Sequence, residues 1–240
     1  MTIIPVWPVG VLRPQSSSVN PVPFSRGNTT LGGQHVSTNT DAGFWSIKLE
    51  NIPLRNRDRD QWRCWNAIRS ILKGTPGRIA VPAMSSHSAP YVSGKWEASP
   101  EVPHDDDTLF DDDTPYVQGA ISVVSVGVTD INAGTMKMRI INGYDDLSGV
   151  RFSYEHALYE TGRILSEEDG VWEVEITPPV RAVIPAGADL EFDEPTCLCC
   201  LEVDSGMDLA NALVGKSVLA TVNFIEDTDY WNRLALGLEV

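Results

Sequence analysis

Apolar and polar positions alternate along most of the chain in short period-two runs, the mark of strands with one buried face. Between Gly119 and Asp193 six such runs follow one another, at 121–128, 135–142, 150–154, 158–165, 171–177 and 189–193. Turn signals at Asn142-Gly143, Asp169-Gly170 and Pro185-Ala-Gly187 punctuate them. Short strands so spaced predict a small barrel or sandwich. Upstream, Gly32-Gly33 and Asp41-Ala-Gly43 separate alternating runs, the second being Phe44 to Glu50, and predict two strands and a hairpin. Ile79 to Met84 reads as a further strand, and 85–118 as a long polar loop broken by Pro90, Pro100, Pro103 and Pro115. Cys197 to Val203 and Ser217 to Glu226 read as a closing strand pair joined through a helical turn at Asp208 to Leu213.

One segment changes period. Trp62, Trp65, Ile68, Ile71 and Leu72 recur at three- and four-residue spacing and predict a helix over 57–73 with its aromatic stripe on a sheet. Asp58 and Gln61 form a capping-box pattern at its start, and Gly74 followed by Pro76 ends it. Residues 1–28 carry five prolines and a Ser16-Ser17-Ser18 run, which forbids helix and suits an extended arm lying on a neighbouring subunit.

These elements predict a mainly β (α+β) protein. A β-sandwich with one packed helix is formed by 1–118 and 196–240, and 119–195 is an inserted small β-barrel-like domain. A chain of 240 residues can bury such cores without metal or disulfide.

Charge narrows the function. Lys and Arg number 18 against 33 Asp and Glu, a net charge of −15 that repels phosphate backbones and argues against sequence-specific nucleic-acid binding. No apolar run approaches the ~20 residues of a membrane span, so no membrane partner is expected. The first residues lack the basic start and apolar core of a secretory signal, so synthesis in the cytoplasm is expected. Three of the four cysteines crowd at Cys197, Cys199 and Cys200, unlike a spaced disulfide framework.

Candidate chemistry is sparse. Asp105, Asp107, Asp111 and Asp113 beside His104 could hold a hard cation, but no EF-hand spacing is present and a solvated acidic loop is the simpler reading. On a strand Cys197 and Cys199 face one side and Cys200 the other, which suits small core residues better than one tetrahedral metal site. Val214-Gly-Lys-Ser217 ends like a phosphate loop, yet Ala210 stands where that motif needs glycine. The four histidines are dispersed, with no base beside a nucleophile. Neither cofactor nor catalytic residue is expected. Of seven tryptophans, Trp7, Trp96 and Trp231 fall in irregular or terminal segments and are the interface candidates; burial between subunits is expected for Trp7 and Trp231.

Five segments occur in an order that resembles minor or distal tail (tail-tip) proteins of long-tailed bacteriophages and prophages. They are Asp41-Ala-Gly-Phe-Trp45, Trp62-Arg-Cys-Trp65, Val102-Pro-His-Asp-Asp106 with Phe110-Asp-Asp112, Pro178 to Arg181 through Ala186 to Phe192, and Val222-Asn-Phe-Ile-Glu226. The acidic loop departs from the group by reading Asp-Asp-Asp where a Ser-Asp-Gly type of turn is expected. The resemblance implies a structural virion protein without enzymatic activity, forming a ring of identical subunits at the distal end of the tail. That ring would link the tail tube to the hub and receptor-binding or fibre proteins. The competing readings are a carbohydrate-binding module and a tail-associated hydrolase using paired carboxylates near the acidic loop as acid and base.

Overall fold

The computed structural model describes residues 4–29, 32–33, 35–98, 101–102, 116–117, 119–203, 206–207 and 216–238. In chain order the elements are β1 (Ser16–Thr29), β2 (His35–Arg55), α1 (Arg59–Leu72), β3 (Ile79–Pro82), β4 (Glu101–Val102), β5 (Tyr116–Val117), β6 (Ser122–Ser125), β7 (Thr135–Asn142), β8 (Arg151–Tyr154), β9 (Ala157–Glu168), β10 (Val171–Thr177), β11 (Asp189–Leu190), β12 (Thr196–Leu201), β13 (Ser217–Glu226) and α2 (Thr228–Ala235). The fold is mainly β. The chain divides into two compact units: 1–84 with 156–158 and 196–240, and 85–155 with 159–195.

The first unit is a five-stranded antiparallel sheet in the order β1-β2-β13-β12-β3. Its core follows from alternation. On β13, Ala220, Val222, Phe224 and Glu226 are buried at every second position. On β2 the buried set runs Trp45, Ile47, Leu49 and then Ile52, Leu54, a one-residue change of phase. The cause is a bulge: Asn51 takes a left-handed φ of 54°, and the β13 register shifts between Ala220 and Val222 opposite it. Without that extra residue Ile52 and Leu54 would face solvent.

Helix α1 buries Trp65, Ile68 and Leu72 in this core. Asp58 caps it, its Oδ1 accepting from the N–H groups of Asp60 (3.2 Å) and Gln61 (3.1 Å). The reciprocal half of the expected capping box is redirected: Gln61 Oε1 accepts from the backbone N–H of Arg55 at 3.0 Å and ties β2 to the helix. Lys73 in the left-handed region ends the helix, and the N–H of Gly77 donates to the Leu72 carbonyl at 2.9 Å. Ile71, assigned to the stripe from its spacing, is 50% exposed, because the buried face of α1 is narrower than the apolar pattern.

The second unit is built on a six-stranded sheet, β11-β6-β7-β10-β9-β8. Ser153 on β8 and Glu191 just after β11 exchange backbone hydrogen bonds of 2.9 Å each way, which brings the two end strands together and nearly closes a barrel. Phe152 packs inside between Tyr159 and Phe192, with ring centroids 5.3 and 5.1 Å away. Asp169 and Gly170 form the β9–β10 turn at φ 51° and 72°, the mirror-image turn that Asp-Gly favours.

Several expectations need correction. Asp41-Ala-Gly43 is no turn but lies within β2, where the β1–β2 register jumps from Pro23↔Gly43 to Phe24↔Thr40 and leaves 41–42 as a bulge. The described residues of the 85–118 segment, assigned to the first domain, belong to the second unit. There Pro90 accepts from the N–H of Tyr144 at 2.8 Å and Tyr91 is buried beside Asp193. Residues 156–158 go the other way, held by Leu198 N–H to His156 O and Trp45 Nε1–H to Leu158 O, both 2.8 Å. Helix α2 was missed; Asp227 caps it by accepting from the N–H of Tyr230 at 3.0 Å. The helical turn expected at Asp208 to Leu213 lies outside the described residues.

Candidate functional site

The interface candidates separate cleanly. Trp7 is in the core of its own unit: its Nε1–H donates to the Leu12 carbonyl at 3.1 Å and its ring meets Phe224 edge-on at 5.6 Å. The segment holding it is itself pinned, since Trp7 N–H donates to Ala80 O and Ala80 N–H to Pro5 O, each at 2.8 Å. The arm expected to lie on a neighbour therefore covers, over residues 5–7, the β3 edge of its own sheet. Trp231 is likewise buried within the chain, on α2 beside Tyr230, where Arg78 pairs with Asp227 at 2.7 Å. Both side chains are therefore buried within the chain's own fold, not between subunits as expected. Trp96, 67% exposed, keeps its place as an interface candidate.

The acidic loop Asp105, Asp107, Asp111 and Asp113 and, of the Val214-Gly-Lys-Ser217 motif, Val214 and Gly215 lie outside the described residues. Among the described residues, no group of three His, Cys, Asp or Glu is placed to hold a metal ion, and no helix is long and apolar enough to cross a membrane. Cys197 and Cys199 are fully buried on β12. Burial, reinforced by the Asp227 carboxylate, pushes the Cys200 thiol up to about 11, so it is a poor nucleophile near neutrality. Burial and the neighbouring Asp193 likewise push Tyr91 up to about 12.

What the first unit does present is an unfinished hairpin. β13 pairs with β2 only over Ser46 to Arg55. Beyond it, Phe24–Thr29 and His35–Thr40 pair with each other in six successive registers, and no third strand among the described residues joins them. Six pairs make a ribbon of roughly 17–20 Å. A two-stranded ribbon alone is marginal in water. Elsewhere the sheet edges are guarded: residues 5–7 lie along β3, and Pro21 and Pro23 on β1 lack N–H groups. Prolines are tolerated in edge strands where that donor would face outward, so they blunt the outer edge there.

A second feature is a concavity of about 780 Å³ where the N-terminal segment, the end of β2 and the start of α1 meet, lined among others by Arg13, Arg55, Asp58, Asp60 and Gln61. It continues into a hollow of about 600 Å³ lined by Arg55, Arg57, Asp58, Arg59, Asp60 and Arg63. Its frame is fixed by side chains that bridge elements. Gln61 Nε2–H donates to Val11 O at 3.2 Å, and Trp62 Nε1–H to Arg55 O at 3.0 Å. The five arginines are exposed, and among the described residues none forms an ion pair.

No family model matches the chain, and no curated protein matches it. The hairpin and the concavity must therefore be interpreted on their own geometry. The arginine set was the feature that sequence reasoning passed over. Arg55, Arg57 and Arg59 at every second residue, with Arg63 a turn later, stand out on an acidic chain, whereas only the fold brings Arg13 to them.

Proposed function

We propose that this chain is a non-enzymatic structural protein of a bacteriophage tail: a subunit of a homo-oligomeric tail-tip ring that links the tail tube to the hub and receptor-binding components. The observation that carries the reading is the distal β1–β2 ribbon, a pair of strands with hydrogen-bonding capacity and no third strand among the described residues to take it up. In a ring each ribbon gains a neighbour and loses its exposed edge. The tail-tip resemblance supports the same reading. Its landmarks fall on the β2 bulge, on α1, within the barrel-like unit and on β13.

The glycan-binding alternative draws on Trp96, an exposed ring among irregular residues. A tail-associated hydrolase draws on acidic-loop residues outside the described set. Neither has a constellation of described residues to carry it.

The ribbon can be removed at one opposed pair, because Pro23 and Gly43 stand opposite one another. Replacing residues 24–42 by a two-residue Asn-Gly turn closes the hairpin at that pair. The expected outcome is a folded chain, with its unfolding midpoint in urea within about 10% of the native value, that no longer assembles. A shortened chain that assembles as the native one does would remove the observation on which the proposal stands.

A further inference from the structure

We propose that the arginine-lined concavity at the start of α1 receives the acidic β9–β10 turn of a second copy of this chain, joining protomers head to tail. This rests on the ring reading and names the contact that would build it.

The arginines are placed against the interests of folding. Arg59 opens the first turn of α1, the positive end of the helix dipole, where acidic residues are favoured and basic ones opposed, and Arg63 follows one turn later. They crowd three further guanidiniums and are relieved by two carboxylates, of which Asp58 is committed to the helix cap. The local balance is 5 − 2 = +3, and removing it from the chain total leaves 13 basic against 31 acidic residues, −18. A positive site on so negative a chain calls for an anionic occupant. All five are arginine, whose planar fork pairs a carboxylate through two hydrogen bonds and is weakly hydrated, as a protein contact requires.

The chain carries a matching anion. Along the β9–β10 hairpin the acids are neutralised in place: Glu173 lies 4.0 Å from Lys137 and Glu175 2.9 Å from Arg163. At the turn they are not. Glu167, Glu168 and Asp169 are successive, exposed and without an ion pair among the described residues. The turn itself is only Asp169 and Gly170, with Glu167 and Glu168 on the last two positions of β9, so the three carboxylates cluster at a narrow tip. A tip of that size enters a concavity of about 780 Å³, whereas a nucleic-acid duplex lies across it and meets the field of a chain at −15. Because concavity and turn are different surfaces, the contact is heterologous, and repetition closes a ring when the rotation allows.

Charge reversal tests this on the full chain by sedimentation velocity at 150 mM NaCl. R59E places an acid at the first position of α1, where the helix dipole favours it, R55E alters an exposed position at the end of β2, and E167R/E168R alters exposed positions at the end of β9, so both variants should melt within a few degrees of the native chain. Each alone is expected to self-associate on the order of 100-fold more weakly. Mixed in equal amounts they should associate again, since the acidic concavity of one variant meets the basic hairpin tip of the other. A native chain that assembles alongside an R55E/R59E variant that assembles equally well overturns the docking and leaves the ring reading intact. A native chain that stays monomeric overturns both. Failure of the mixture to recover, with Arg55-dependent binding of a fluorescent DNA duplex by the native chain, overturns the proposal in favour of a phosphate site.

Discussion

Replacing Trp7 by alanine separates a core residue from an interface residue with one number. The side chain is 2% exposed, sits edge-on to Phe224, and its indole N–H occupies the Leu12 carbonyl. Truncating a buried aromatic costs about 3–5 kcal/mol through lost burial and the cavity left behind. The ring pair adds ~0.5–1.5 kcal/mol, and the stranded Leu12 carbonyl, on a residue with no exposure, ~1–3 kcal/mol. These overlap, so the expected loss is about 4–5 kcal/mol. Peeling the segment away offers no cheap escape, because both Ala80 backbone hydrogen bonds would go with it. Urea unfolding followed by far-ultraviolet circular dichroism reads the loss as a lower midpoint at unchanged slope. Trp96→Ala is the control and should stay within about 0.5 kcal/mol, as a surface change does. A Trp7→Ala loss below roughly 1 kcal/mol, accompanied by failed assembly, would return Trp7 to an intersubunit contact and refute its place in the core.

Other outcomes follow from single contacts. Thr161 is buried, its Oγ1 accepting from Val150 N–H at 3.0 Å while its hydroxyl reaches the Leu147 carbonyl; Thr161→Val should cost about 1–3 kcal/mol in the same titration. Glu226→Ala leaves the N–H of Trp45, now bonded at 3.1 Å, without its carboxylate and should cost a similar ~1–3 kcal/mol. Gly77→Ala would put a Cβ 2.3 Å from Leu72 Cα, with only backbone to yield, and should lower stability by about 1–3 kcal/mol through the C-cap of α1. Cys200 and Tyr91 hold their protons more tightly folded, at about 11 and 12, than at their ordinary 9.0 and 10.0. The stability they contribute is whole below pH 9 and falls as pH rises through those values. Thermal melts from pH 8 to 11.5 should show Cys200→Ala and Tyr91→Phe flattening that fall; an unchanged slope in both would contradict it.

The barrel-like unit was legible because its signals are local. β7 and β10 fall on the predicted boundaries, and Asp169-Gly170 marks its turn, since alternation and turn chemistry act within a few residues. Helix α1 was legible for the same reason. The misreadings arise where a distant partner decides. Trp7 looked like part of a free arm, but Ala80 and Phe224 hold it. Asp41-Ala-Gly43 has turn composition, but the pairing of β1 on either side makes it a bulge. Trp231 was placed in a ragged end because α2 has only eight residues, too few for a clear period, although Asp227 three residues before Tyr230 was a readable cap. The concavity was half legible: spacing shows the arginines of 55–63, and only the Gln61 bridge to Val11 brings Arg13 beside them.

The central claim is that this chain builds a ring, and the mass and outline of the purified native particle test it most directly. Light scattering on a sizing column, with negative-stain class averages of the same peak, should give a defined multiple of 26.3 kDa and a closed outline with rotational symmetry. A single species of 26.3 kDa at ~100 µM chain and physiological salt, with no ring among the particle images, would contradict it.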